Sequence, residues 1–385
     1  MSIGILIFFF NLRGFGFTAT IRVRDGAMVS CGIVGLPNVG KTTLFNAITR
    51  ASAEVSNYPF TTVGKNEAIV PVPDPRLEEL KEIAEQEEAR PATFRLVDIA
   101  GLVQGASKGE GLGNEFLGYI RNVDAVLQVL RCFEAPHISH VEGEPDAVRD
   151  LEIIDTELRL ADMVVLERRL DKVGKNPSQR EQKEEREALI AVYEALNTGK
   201  DLRKDAVPPE YMEKSAPLDL LSMKPRMLVA NVGENGKNEC LQRLRTWADE
   251  NGELLCEVPA KLVADLAELP PEEAAEFAAE LHVPANALAG ILTAAYRLLD
   301  LITFYTIVGK CVTAWPIRKG TDTYHAAGMI HKDIQKGFIK AEVVLYDDLK
   351  SAGSWGEARH LGKLRLEGRD YVIRDGDVIL YKFTG

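Results

Sequence analysis

The stretch GLPNVGKT, residues 35–42, has the residue types and spacing to hold a polyphosphate. It fits G-x-x-x-x-G-K-[ST], follows the apolar run CGIV at 31–34, and opens into the helix-forming TTLFNAIT. Glycines let backbone N–H groups turn inward around phosphate oxygens. The amides of Asn38, Val39, Gly40, Lys41, Thr42 and Thr43 are therefore the candidate cradle. The Lys41 ammonium would reach the β- and γ-phosphates and is the first candidate catalytic group, and the Thr42 hydroxyl suits Mg2+. The bland alternative is a plain glycine-rich turn, which the strand before and the helix after disfavour.

Three further stretches bear on the same chemistry. RLVDIAGL at 95–102 carries D-x-x-G at the end of an apolar run. Asp98 there would hold Mg2+ through water, and the Gly101 N–H would sense a γ-phosphate. Between these two motifs lies NYPFTTVGK, 57–65, where a loop threonine would close the metal shell. Thr62 is the candidate and Thr61 the alternative; either also reads as an ordinary exposed threonine. The metal set is then Thr42, Thr62 and Asp98. The fourth stretch is NVGE at 231–234, where switch proteins that read guanine carry N-K-x-D. Asn231 is kept, Val232 replaces the lysine, and Glu234 is one methylene longer than aspartate. Guanine offers N1–H and N2–H2 donors to that carboxylate; adenine has neither. A misplaced carboxylate erodes such discrimination. The element is thus either altered for adenine or a degraded guanine reader. The six histidines show no metal-ligand spacing, and the close pair His137 and His140 lacks Cys or carboxylate companions.

Positioning these groups takes a sheet. CGIV (31–34), AIVPV (68–72), FRLVDI (94–99), AVLQVL (125–130), RMLVAN (226–231) and LLCEV (254–258) read as strands alternating with helices. Several are apolar throughout, as strands covered on both faces are, which indicates a doubly wound α/β sheet. Its first part spans 28–140 and its second 211–301. The interval 141–210 is charged, with Leu151, Ile154, Leu158, Ala161 and Val165 at helical spacing, and GKNPSQ breaks it at 174–179. It reads as an inserted helical hairpin with solvated faces. From 302 to 385 the chain is β-rich with Asp-Gly turns, a separate small α+β domain.

The 385 residues carry a net charge of −12, unevenly spread: 301–385 is +3 and the remainder −15. The basic tail is compatible with an RNA surface, though a solvated face explains it equally well. Five scattered cysteines without a C-x-x-C pair suit a reducing, cytosolic setting. IGILIFFF near the start is too short to span a bilayer and lacks the flanks of a signal peptide. Residues 1–27 read as an upstream extension outside the fold, with Met28 just before the first strand.

The chain resembles the YchF-type Obg-like ATPases, a branch of the P-loop NTPases. The resemblance rests on CGIVGLPNVGKTTLFNAIT, NYPFTT, VPDPRLEEL, DIAGLVQGASKGEGLGNEFL, RCFEAPHISHVEGEPDAVRDLEIIDTEL and GFIKAEVVLYDDL with LEGRDYVIRDGDVILYKF. It covers essentially all of 28–385. It implies a coiled-coil arm for the insertion, a C-terminal β-grasp (TGS) domain, and a cytoplasmic, Mg2+-dependent ATPase that prefers ATP to GTP. It also implies a ribosomal partner, the large subunit foremost, or another RNA-containing one, with no membrane or DNA partner. Asn231 and the backbone around Val232 would hold the adenine. Asn38 matches potassium-stimulated relatives, which makes K+ a second cation candidate. The sequence departs from the family at Gln128, where members commonly carry a histidine. Gln128 is thus a candidate catalytic residue that could orient water without deprotonating it. Leu102, where many GTPases place a water-orienting glutamine, cannot do so, which implies slow turnover.

Overall fold

The computed structural model describes residues 28–55, 62–64, 66–99, 112–135, 137, 140, 143–175, 177–204, 206–233, 238–281, 283 and 287–384. In chain order the elements are β1 (Ser30–Val34), α1 (Lys41–Val55), β2 (Thr62–Gly64), β3 (Glu67–Pro71), α2 (Pro75–Ile83), β4 (Glu88–Arg90), β5 (Thr93–Asp98), α3 (Leu112–Arg121) and β6 (Ala125–Cys132). There follow α4 (Ala147–Val173), α5 (Arg180–Asn197), α6 (Pro209–Ser215), β7 (Arg226–Val232), α7 (Glu239–Asn251), β8 (Leu255–Val258), α8 (Ala260–Leu266), α9 (Pro271–Glu280) and α10 (Ala287–Leu298). The last part holds β9 (Leu301–Val308), β10 (Cys311–Arg318), α11 (Thr323–Ile330), α12 (Lys332–Lys336), β11 (Phe338–Leu345), α13 (Tyr346–Ala352), α14 (Trp355–His360), β12 (Arg365–Glu367) and β13 (Asp377–Phe383). No described helix is long and apolar enough to cross a membrane.

The chain divides into two compact units. One takes Val29–Ala68 and Arg95–Leu288; the other takes Ile69–Phe94 and the chain from Ala289 onward. The sequence reading placed a single boundary at 302 and left all of 28–140 in the first unit. The difference has a physical cause. Strand β4 pairs in parallel with β10, Glu88 opposite Cys311 and Arg90 opposite Thr313. Asp74 caps α2, its carboxylate accepts from Arg76 at 2.9 Å and from the Tyr305 hydroxyl, and Arg76 reaches Asp375 at 2.7 Å. Both ties cross long sequence separations that local pattern does not reveal.

The seven-stranded sheet of the first unit has the order β2-β3-β5-β1-β6-β7-β8. Strand β1 lies between β5 and β6 and runs parallel to both, with Ile33 opposite Asp98 and Val34 opposite Gln128. All eight residues of β6 are buried, as a strand covered on both faces requires. Chain order reverses on either side of β1, so its carboxyl end lies at a topological switch point, where open α/β sheets bind ligands.

The inserted hairpin is present as α4 and α5. Helix α4 starts on the sheet: Ala147 and Leu151 pack with Leu130, Leu228, Leu241 and Leu244. Its 27 residues then extend it by about 40 Å. Farther out Leu166 packs with Leu189, Val192 and Leu196 of α5. Gly174 ends α4 at a φ of 81°, a conformation that suits glycine. The hairpin's root is tied by Arg226, nearly buried, which holds Asp155 of α4 at 2.6 Å and Glu253 at 2.5 Å. Asp162, buried on α4, accepts from the backbone N–H of Leu221 and Ser222 at 2.8 Å each.

The second unit's sheet has the order β12-β11-β13-β9-β10-β4. Phe304, Ile317, Ala326, Ala327, Phe338, Val343 and Ile379 form its core, with α11 contributing the two alanines.

Arg226→Ala leaves the nearly buried Glu253 without its ion-pair partner and Asp155 with Arg203 alone, at 3.6 Å. The expected cost is about 3 kcal/mol of stability in the first unit. Denaturant unfolding followed by Trp247 fluorescence, in a Trp315→Phe/Trp355→Phe background, measures it; an unchanged midpoint would show the pair to be idle.

Candidate functional site

The phosphate-loop residues form at the carboxyl end of β1. The chain turns at Asn38, which holds a left-handed φ of 63°, and at Gly40, with a φ of 97°. Asparagine is one of the few side-chain-bearing residues that adopt such a φ readily. The first hydrogen bond at the start of α1 runs from Leu44 N to Gly40 O at 3.0 Å. The amides of Lys41, Thr42 and Thr43 thus precede the helical ladder at the positive end of the helix dipole.

Lys41 is nearly buried, and its Nζ donates to Leu36 O at 2.9 Å. Burial pushes its pKa down to about 8, and the nearby Asp98 carboxylate opposes that shift only in part. The Thr42 hydroxyl donates to Asp98 Oδ2 at 2.7 Å, although 56 residues separate them. The other carboxylate oxygen, Asp98 Oδ1, is buried without a hydrogen-bond partner among the described residues. Burial raises the Asp98 pKa, with the Thr42 hydrogen bond and Lys41 working against it. A hydroxyl, a carboxylate with an orphaned oxygen and a desolvated ammonium meet here. The donors are all-oxygen and fit a hard divalent cation shared with phosphate oxygens. No group of three or more His, Cys, Asp or Glu able to hold a metal exists among the described residues, so such an ion would draw its remaining ligands from elsewhere. Thr62 begins β2, but nothing is described of its side chain, and Thr61, Gly101, Leu102 and Glu234 lie outside the described residues.

Asn231 is brought to the loop, with a function that spacing did not reveal. Its Nδ2 donates to Val39 O at 2.9 Å, and its Oδ1 accepts from Ala260 N at 3.1 Å. The carboxamide ties the phosphate loop, the end of β7 and the start of α8. A Cβ on Gly40 would lie 2.2 Å from Asn231 Nδ2, so the glycine at this motif position also admits the clamp. Val232 packs at the edge of the apolar cluster of Leu130, Leu228 and Leu241. No ammonium stands at that position.

Gln128 does not join the group. Its Oε1 accepts from Arg226 Nη1 at 3.3 Å, inside the ion-pair cluster at the hairpin's root. Strand alternation explains this: Gln128 shares its face with Leu130, which packs against Ala147 and Leu151 of α4. In this arrangement its Oε1 faces the arginine at the hairpin's root. Sequence reasoning also passed over Arg131, which donates to Phe133 O and Ala135 O at 3.3 and 3.2 Å and stacks over the Phe133 ring at 4.6 Å. The run RCFE was visible, but its fold-back was not. His140 pairs with buried Asp150 at 2.8 Å.

Comparison with known proteins gives two family models. One, described as "50S ribosome-binding GTPase", matches residues 30–169. The other, YchF-GTPase_C, described as a "protein of unknown function (DUF933)", matches residues 301–384. The "Ribosome-binding ATPase YchF" of Haemophilus ducreyi is 44% identical over 92% of this chain and 99% of its own length. That of Bacillus subtilis is 44% identical over the same shares. The "Obg-like ATPase 1" of Oryza sativa is 39% identical over 94% of this chain and 93% of its own. Among solved structures, that of the Schizosaccharomyces pombe YchF GTPase superposes with a TM-score of 0.84 at 36% identity, covering 94% of this chain and 99% of that one.

Two tests follow from the geometry. Asn231→Ala leaves Val39 O and Ala260 N without their partner and should cost about 2–4 kcal/mol, together with at least tenfold in nucleotide affinity; calorimetric titration and melting would find neither change if the clamp is dispensable. The second concerns Lys41, whose folded pKa of about 8 lies below the ordinary 10.5. Bound phosphates need the protonated form. Nucleotide affinity should therefore fall above about pH 8, by up to about tenfold per pH unit. The nucleotide-free protein should instead gain stability over that range, because its unfolded chain binds the extra proton. A flat affinity profile from pH 7 to 10 would contradict this.

Proposed function

The chain belongs to the YchF family, and we propose that this member is a ribosome-binding ATPase that changes partner affinity with its nucleotide state. It is a P-loop ATPase with the mixed α/β sheets of that family. The observation that carries the activity is the bond between Thr42 and Asp98 with its orphaned carboxylate oxygen. These are the groups that would bear on a metal–triphosphate. Mg2+ is the cation proposed, with Thr42 and Asp98 as its protein ligands and Thr62 as the third. When bound it would neutralise charge on the β- and γ-phosphates. Lys41 would meet the same oxygens, and the amides of 38–43 would hold the phosphate chain in line. K+ beside Asn38 belongs to the same proposal.

We further propose ATP over GTP. Val232 supplies no lysine stem to lie along a base, and Glu234 displaces the carboxylate that guanine requires. With Asn231 committed to the loop and α8, recognition falls to backbone groups near the end of β7. Those suit the 6-amino donor and ring acceptors of adenine. A cytoplasmic setting and the large ribosomal subunit as partner complete the reading. The C-terminal unit, proposed to be a TGS domain, and the hairpin α4–α5 would be the contacting parts.

The expected preference for ATP is about 5- to 150-fold, the equivalent of one misplaced hydrogen-bond pair. Dissociation constants for ATP and GTP at equal Mg2+ decide it, and tighter GTP binding would overturn the adenine assignment. Thr42→Ala should abolish the Mg2+-dependent part of the affinity. For the partner, co-sedimentation with purified large subunits is compared with ATP, with ADP and without nucleotide. Equal recovery in all three would refute a nucleotide-gated interaction.

A further inference from the structure

Cys132 ends β6 and Cys240 stands in the first turn of α7. Their sulfurs lie 3.9 Å apart, although 108 residues separate them. Cys132 is nearly buried, whereas Cys240 is partly accessible. We propose that the two form a dithiol that a peroxide converts to a disulfide, with Cys240 the attacked sulfur and Cys132 the resolving one.

Three features single out Cys240. It occupies the first turn of α7, 13 residues long, at the positive end of that helix's dipole. Its Sγ accepts from the backbone N–H of Ala147 at 3.3 Å, the first residue of the 27-residue α4. Two helix N-termini therefore converge on one sulfur and favour its anion. The third feature is Cys132, whose S–H supplies a hydrogen bond to that anion. Burial, and after it Asp146 and Asp150, push the other way, and the Arg131 carbonyl, 3.6 Å distant, accepts from the thiol when it is protonated. The balance lies with the anion: the Cys240 pKa falls to about 7, while burial and the neighbouring sulfur hold Cys132 protonated. Cys31 and Cys256 are buried and pushed up by burial, so neither competes.

The chemistry balances with one peroxide. The Cys240 thiolate attacks a peroxide oxygen, the O–O bond breaks, and the leaving hydroxide takes a proton to become water. Cys240 is now a sulfenic acid. The Cys132 sulfur then attacks the Cys240 sulfur and the S–O bond breaks. The Cys132 proton leaves with the hydroxyl as a second water. Two thiols are oxidised and one peroxide is reduced. The bond would join the end of β6 to the start of α7, the helix that follows the Asn231 segment.

The test uses the full chain treated with a small excess of hydrogen peroxide, blocked with an alkylating agent and mapped by mass spectrometry without reductant. The expected product is a 132–240 linked peptide, with Cys31 and Cys256 still reduced. Before oxidation, iodoacetamide at pH 7 should label Cys240 about ten times faster than an ordinary free thiol. Cys132→Ala should leave Cys240 as a sulfenic acid that dimedone captures, and Cys240→Ala should leave Cys132 reduced on this timescale. The proposal fails if the parent chain yields no 132–240 link while peroxide is consumed, or if Cys240 labels no faster than an ordinary thiol.

Discussion

One carboxamide holds the ligand end of the sheet together. Asn231 sits where β7 stops, and its two polar ends reach the phosphate loop through Val39 and helix α8 through Ala260. Both partners are backbone groups that would be left unpaired in a buried place without it, at a cost comparable to a lost hydrogen bond each. The loop needs the constraint because two of its residues hold left-handed backbone, one of them not glycine. Local preference alone would not keep that conformation. The tie also dictates composition: Gly40 faces the amide so closely that any side chain there would expel it.

Around that fixed loop the charges are arranged under strain of solvation rather than of geometry. Lys41 and Asp98 are both held where burial disfavours their ionised forms, and each partly relieves the other. Thr42 satisfies one oxygen of Asp98 and leaves the other without a partner. A group of this kind gains when a cation and an oxyanion arrive together, since each ligand meets a charge already stripped of water. The same burial makes the site sensitive to the Lys41 proton.

How much of this the residues announced depends on the range of each interaction. The strands of the central sheet were readable because runs such as AVLQVL and RMLVAN are apolar throughout, and the phosphate loop because its spacing is fixed by backbone chemistry. The helical hairpin was readable from Leu151, Ile154 and Leu158 at helical spacing; all three are buried, and Leu151 packs on the sheet. The function of Gln128 was not readable, because the strand's face depends on which helix covers it. The assignment of Ile69–Phe94 to the second unit was equally hidden: it rests on a three-residue strand pairing across more than two hundred positions and on one arginine between two aspartates. Asn231 was flagged for its neighbourhood, but its bonds to Val39 and Ala260 were not readable, since a motif gives a position and not the direction of a carboxamide.

Helix α4 explains how nucleotide chemistry could be felt at a distance. Its first turn is part of the sheet's own core, packed on the strands that end beside the loop, and its last turns belong to a separate apolar cluster with α5. No break interrupts its 27 residues. A helix anchored so asymmetrically moves as a lever: a small tilt at Ala147 and Leu151 becomes a larger displacement at Val173, in proportion to about 40 Å of length. The root is not free to tilt in every direction, because Asp155 is held by Arg226 on β7, and Asp162 by the backbone of Leu221 and Ser222. These ties flank the middle of the helix, one in its first half and one just beyond its midpoint, and would act as its pivot. A shift of β6 or β7 would reach α4 through Ala147 and Leu151 and also through Arg226. The residue expected to do chemistry, Gln128, lies on that path, bonded to the arginine that fixes the pivot.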